Sequence, residues 1–287
     1  MDKDMSYGSD YKFLPVTSVG DGVCIQVLPD LFSYTSKIVN IVFVGDPTKE
    51  EFVMIDAGMP GCSKKIIETA EEIYGPNSRP KAIILTHGHF DHVGSIIELI
   101  DHWNIPVFAH SLEYPYLVGE REYPEPDTSV EGGYIAKISS LFPNEPINIK
   151  EHLKPLPSDG TVPFLDEFRW IPTPGHTPGH VSFFRDKDRS LIAGDAFITV
   201  RQDSLYKTLT QEKEINGPPR YLTTDWDLAY ESVKVIRDLK PVAAITGHGV
   251  PMSGSELTTS LEKLVTEFKE VSIPDYGKYV NENGPLH

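Results

Sequence analysis

Four apolar runs along this chain end in paired ways. FVMIDAG (52–58) and SLIAGDAF (190–197) both pass from an apolar strand into Asp-Ala, and AIILTHGH (82–89) and VAAITGHG (242–249) both pass into Thr, then Gly and His. Short apolar runs bounded by turn residues read as buried strands. Polar side chains at the C-terminal ends of such strands mark the ligand-binding edge of an α/β sheet. The doubling predicts two similar half-domains facing each other, with the active edge between them.

The rest of the chain fits that frame. Strands are expected at 23–28, 37–44, 52–56, 81–86, 105–109, 167–172, 181–185, 190–195 and 242–246, rich in Val, Ile and Phe. Four amphipathic helices follow from 3.6-residue spacing. Ser63 caps the first, which turns Ile66, Ile67, Ala70, Ile73 and Tyr74 inward. The second starts just after residue 92 and turns Val93, Ile96, Ile97, Ile100 and Trp103 inward. Thr224 with Asp227 caps the third, and Ser253 with Glu256 caps the fourth. Two stretches break the alternation: residues 113–157, rich in Pro, Glu and Tyr, and the polar residues 197–223. Long loops in compact domains are lids or inserts. The expectation is therefore one domain over 1–287 with a lid-like insert at about 113–157.

Composition narrows the partners. A net charge of −16 repels phosphate backbones, so nucleic acid is not an expected partner. No run of about 18 apolar residues suggests a membrane span. The polar, acidic opening MDKDMSYGSD does not read as a secretory leader, and Cys24 and Cys62 are the only cysteines. These features predict a cytoplasmic, reduced protein, with a homodimer compatible with all of them.

The chemistry concentrates in THGHFDHVG (86–94), which places three of the ten histidines and an aspartate within six positions. His87 and His89 are two apart and point to one side of an extended segment; Asp91 continues that register, while His92 turns away as a helix begins. One loop can thus present ligands to two neighbouring points. Further candidates stand at strand ends: His176 in TPGHTPGH (173–180), Asp195 in AGDAF (193–197) and His248 in TGHGVP (246–251). Imidazole and carboxylate donors suit Zn(II), and equally Fe(II) or Mn(II).

This set, His-x-His-x-Asp-His followed by His, Asp and His at strand ends, resembles the metallo-β-lactamase superfamily of hydrolases, over nearly the whole chain. The resemblance implies an α/β (α+β) fold: a four-layer αβ/βα sandwich of two mixed β-sheets flanked by helices. It implies two metal ions, Zn(II) first, with His87, His89 and His176 on one, Asp91, His92 and His248 on the other, and Asp195 bridging. It places Asp56 and His180 behind the ligands, orienting them. Asp91 and Asp195 are then the catalytic carboxylates, with Asp91 as a proton acceptor.

Departures from subfamilies narrow the expected substrate. Two-zinc β-lactamases lack a bridging aspartate equivalent to Asp195. Lactonases carry Tyr three residues after it, where Ile198 stands here. Glyoxalase II enzymes have a longer helical C-terminal region, and flavodiiron proteins have Glu in place of His89. What the resemblance leaves is a small-molecule hydrolase for an activated acyl compound (thioester, lactone or related ester). A phosphotriester hydrolase and a one-iron persulfide dioxygenase are the alternatives. Tyr116, Tyr123 and Tyr134, with Phe197, Tyr206 and Tyr221, are candidates for an apolar substrate wall, and Arg201 and Arg220 for an anionic substrate group.

Overall fold

The computed structural model describes residues 5–11, 17–49, 51–130, 137, 139–200 and 210–280. By its internal contacts the chain divides into two compact units, residues 1–123 with 143–169, and residues 124–142 with 170–287. Of the 113–157 segment, residues 113–123 and 143–157 belong to the first unit and 124–142 to the second.

The first unit is built on a seven-stranded sheet in sequential order: β1 (Cys24–Leu28), β2 (Leu31–Ser36), β3 (Val39–Val44), β4 (Val53–Ile55), β5 (Ile83–Ile84), β6 (Val107–Ala109) and β7 (Leu153–Pro155). The first four strands pair antiparallel and the last four parallel, so the sheet is mixed. Sequence periodicity passes over β2, because LFSYTS carries four hydroxyl residues. Every residue of β2 is nevertheless buried, and Thr35 donates from Oγ1 to Asn40 Oδ1 at 2.9 Å. A buried hydroxyl with a partner is tolerated in a core strand. Helix α1 (Ser63–Tyr74) buries Ile66, Thr69, Ala70 and Tyr74; Ile67 and Ile73 are half-buried at its edge. Its N-cap is Cys62, without a side-chain cap bond, where Ser63 was expected.

The expected second helix is two. Helices α2 (Phe90–Val93) and α3 (Ile96–Trp103) are separated at Gly94-Ser95. Gly94 donates its N–H to Gly58 O, and the Ser95 hydroxyl donates to Met59 O and accepts from Cys62 N. The Gly94 N–H is thereby diverted from the helical ladder, and the Ser95 hydroxyl ties the break to the 59–62 segment. A short helix α4 (Tyr114–Leu117) follows.

The second unit holds a five-stranded mixed sheet in the order β14-β13-β10-β9-β8: β8 is Phe168–Pro172, β9 Val181–Arg185, β10 Ser190–Gly194, β13 Ala243–Thr246 and β14 Met252–Ser253. Strands β11 (Ile198–Val200) and β12 (Lys213–Asn216) form a separate antiparallel ribbon. Helices α5 (Trp226–Leu239), α6 (Gly254–Thr266) and α7 (Phe268–Val271) bury Trp226, Val233, Ile236, Leu257, Leu261 and Phe268 in one core with Ile171, Phe184 and Leu191. The expected caps are corrected here. Asp225, not Thr224 with Asp227, caps α5 by accepting from Leu228 N, because Thr224 N and Asp225 N both donate to Gly175 O. Ser253 stands at the N-cap of α6 but makes no side-chain cap bond.

The sequence echo has a structural counterpart. In the first unit β4, which leads to Asp56, pairs parallel with β5, which leads to Thr86-His87. In the second, β10, which leads to Asp195, pairs parallel with β13, which leads to Thr246 and His248. Parallel pairing brings both C-terminal ends to the same edge.

Candidate metal centre

In the first unit the donors lie on the loop after β5 and on α2. His87, His89, Asp91 and His92 are all buried. The donor atoms of His87 and His89 lie within 4.8 Å of each other, as do those of His87 and His92 and of Asp91 and His92. The His87 ring is 4.8 Å from His89, nearly perpendicular, and 4.1 Å from His92.

Asp56 organises this group from the end of β4. It is 3% exposed and adopts a left-handed backbone (φ 62°), which Asp tolerates better than most residues. Its carboxylate accepts from Thr86 N at 2.7 Å, Thr86 Oγ1 at 2.8 Å and His92 Nδ1 at 2.8 Å. Two tautomers follow. His92 carries its proton on Nδ1. Thr86, having given its hydroxyl proton to Asp56, can only accept from His87 Nδ1, 3.0 Å away. Both imidazoles therefore present the Nε2 lone pair.

Sequence reading missed a second support. Glu113, fully buried, accepts from Gly88 N at 3.0 Å and from the Tyr123 hydroxyl. The Tyr123 ring packs 4.5 Å from His89, and Tyr116 stacks on Tyr123 at 3.8 Å. Tyr116 and Tyr123, expected as substrate wall, thus pack beneath the histidine loop. Burial first, then the Glu113 charge, pushes the Tyr123 phenol well above its ordinary range, so it remains a donor. Glu113 lies 25 residues from Gly88, at no spacing that marks a site.

In the second unit the donors stand on three strand ends. Asp195 follows β10, whose register with β13 shifts between Ile192 and Gly194; Gly194 turns at φ 55°. Asp195 Oδ2 lies 3.5 Å from His176 Nε2 and 3.3 Å from His248 Nε2, all three buried. His176 sits in a turn that requires Gly175: its φ is 126°, and an added Cβ would lie 2.3 Å from Ala229 N. Thr223 donates to Pro219 O, so it accepts from His176 Nδ1, and His176 also presents Nε2.

His180 differs. Its Nε2 accepts from Asp195 N at 2.9 Å, and its Nδ1 meets Thr173 Oγ1 at 2.8 Å. Thr173 bonds Ser182 Oγ, which donates to Ala193 O. The chain runs in one direction, each group donating to the next, and engages both ring nitrogens of His180. It holds the Asp195 backbone from behind.

Three expected substrate contacts are built into the packing instead. Phe197 is fully buried in the second unit's core. Arg220 donates from Nε to Ser272 O and from Nη2 to Val271 O, closing the end of α7, because a guanidinium matches the carbonyls left open there. Tyr221 is 3% exposed, with Phe142 edge-on at 5.8 Å. Tyr134, Arg201 and Tyr206 lie outside the described residues. Among the described residues, no helix is long and apolar enough to cross a membrane.

Comparison with known proteins places the chain in a family. The family model described as metallo-beta-lactamase superfamily matches residues 34–248. A probable metallo-hydrolase of Bacillus subtilis (strain 168), YflN, is 45% identical over 260 residues, covering 90% of this chain and 98% of that protein. Two crystal structures share the fold at 24% identity. One is the BLEG-1 B3 metallo-beta-lactamase, with a TM-score of 0.54 over 80% of this chain and 93% of that one. The other is TTHA1623 in a di-iron-bound form, with a TM-score of 0.51 over 80% of this chain and 94% of that one. With three-quarters of its length matched and the ligand motif inside the matched span, the chain belongs to the metallo-β-lactamase superfamily.

Proposed function

We propose that this superfamily member is a metal-dependent hydrolase of an activated acyl small molecule (thioester, lactone or related ester), with two metal ions held by seven side chains. His87, His89 and His176 would hold one ion, Asp91, His92 and His248 the other, and Asp195 both. The observation that carries the reading is the tautomer control described above. In each unit, hydrogen bonds to Nδ1 from behind (His87 and His92 in one, His176 in the other) leave Nε2 as a ligand nitrogen. A histidine whose Nδ1 proton is held from behind is in the tautomer that a metal ligand through Nε2 requires.

The donor set fits zinc; the di-iron form of TTHA1623 keeps iron in play for this chain. Divalent ions held there would supply Lewis acidity and lower the pKa of water. The chain's own residues do the rest. Asp56 and Thr86 fix the two imidazoles. His180 fixes the Asp195 backbone. Asp91, at the start of α2, is the carboxylate placed to act as a proton acceptor. The acidic surface supports a small-molecule substrate over nucleic acid.

The test is elemental analysis of protein purified without chelators, beside a panel of thioester, lactone, phosphotriester and β-lactam substrates. Two equivalents of metal and acyl turnover that EDTA abolishes and added metal restores are expected. Less than one equivalent of transition metal overturns the reading. One iron with oxygen uptake moves the chain to the dioxygenases.

A further inference from the structure

We propose that Glu113 and Tyr123 are positioning residues that set the His87–His89 pair and thereby its affinity for a metal ion; this rests on the metal-binding reading above. Gly88 separates the two histidines, so its backbone torsions help set how their imidazoles lie relative to each other. Its N–H is held at 3.0 Å by Glu113 Oε2 and at 3.0 Å by the Tyr123 hydroxyl, which itself donates to Glu113 Oε2. A peptide N–H that points at two mutually bonded oxygens cannot rotate without breaking both contacts.

The steric surroundings say the same. A Cβ at Gly88 would come 2.6 Å from the Tyr123 hydroxyl and 3.0 Å from Leu117 Cδ2, so the clamp closes directly on the backbone. The Tyr123 ring also meets the His89 ring at 4.5 Å and 56°, with Tyr116 stacked behind it at 15°. One residue therefore fixes both the peptide between the ligands and one of the ligand rings. Glu113 adds a carboxylate with 0% exposure. A buried carboxylate is costly unless its acceptors are used, and here they anchor a loop amide that lies outside any strand ladder. Metal ligation tolerates errors of about 0.2 Å in donor distance. Loosening supports behind ligands lowers metal affinity by about 10- to 100-fold.

The experiment compares the full-length wild type with Tyr123→Phe, Glu113→Gln and Glu113→Ala. Phe43→Leu, a core change in the same unit away from the loop, controls for general destabilisation. Zinc affinity is measured by competition with a chromophoric chelator, and ligand geometry by the visible spectrum of the Co(II)-loaded protein. Tyr123→Phe is expected to weaken zinc binding about 10-fold or more and to shift the cobalt bands. Glu113→Gln, which keeps an acceptor for Gly88 N, should lose less than Glu113→Ala. Phe43→Leu should lower only the unfolding midpoint. Wild-type affinity and spectrum in folded Tyr123→Phe would overturn the clamp while leaving the metal site standing. If Glu113→Ala does not fold, Tyr123→Phe, which removes a single oxygen, decides. A wild type that takes up neither zinc nor cobalt removes the clamp together with the reading it rests on.

Discussion

Replacing Asp56 by Asn and by Ala should separate its two roles. The carboxylate accepts three buried hydrogen bonds of 2.7–2.8 Å, from Thr86 N, Thr86 Oγ1 and His92 Nδ1. Bonds to a charged acceptor contribute roughly 1.5–3 kcal/mol each. Asp56→Ala removes all three, leaves two buried N–H donors without an acceptor, and puts Ala at φ 62°, which costs about 1 kcal/mol more. The sum is about 5 kcal/mol or more, a large part of the roughly 5–15 kcal/mol that holds a typical domain. Asp56→Asn keeps the left-handed turn and an acceptor for Thr86 N. Its amide donates where the carboxylate accepted, so Thr86 Oγ1 and His92 Nδ1 become acceptors, and about 1–2 kcal/mol should be lost. That exchange moves the His92 proton to Nε2, the nitrogen needed for metal. Asn should therefore lose far less stability than Ala yet bind the His92-side ion at least about 10-fold more weakly. Urea unfolding of metal-stripped protein, followed by circular dichroism, gives the stabilities; zinc titration gives the affinities. An Ala variant within about 1 kcal/mol of wild type, or an Asn variant with wild-type zinc affinity, would refute the tautomer argument.

Further outcomes follow from the same geometry. Gly175→Ala places Cβ 2.3 Å from Ala229 N at φ 126°, where the neighbour is backbone and cannot yield. A loss of about 3 kcal/mol or more in a urea titration is expected, with displacement of His176. Burial opposes ionisation of Asp188, but hydrogen bonds from the Arg185 guanidinium and from Ser190 outweigh it and hold the carboxyl below its ordinary range. A folded-state pKa below the unfolded one stabilises the protein above about pH 4 and is lost as pH falls through the folded value. Wild type should thus lose stability below about pH 4 more steeply than Asp188→Asn, measured by urea midpoints across that range. Free zinc at about 100 times its dissociation constant should raise unfolding stability by about 2.7 kcal/mol, and no shift in midpoint would count against a folded-state site.

The strand ends and the ligand residue types were legible because they depend on local order. An apolar run followed by Asp-Ala or Thr-x-His declares where a buried strand stops and what it carries. The α5 cap was misplaced because Gly175, fifty residues upstream, claims the amides of Thr224 and Asp225. The broken helix at Gly94-Ser95 was missed for the same reason, the Gly94 N–H being taken by Gly58 and the Ser95 hydroxyl bonding Met59 and Cys62. β2 escaped because a hydroxyl-rich strand hides its burial until its partners are known.

By itself the sequence determined the family, the order of the strands that carry the candidate donors, and the residue types offered there, since each is written in a short contiguous motif. Tertiary structure decided how those donors are held. Which nitrogen His87, His92 and His176 present, what His180 supports, why Glu113 is buried, and that Arg220 closes a helix end all depend on partners 1 to 52 residues away. Hydrogen-bond direction is a property of three-dimensional neighbours, and most of those neighbours meet only when the chain packs.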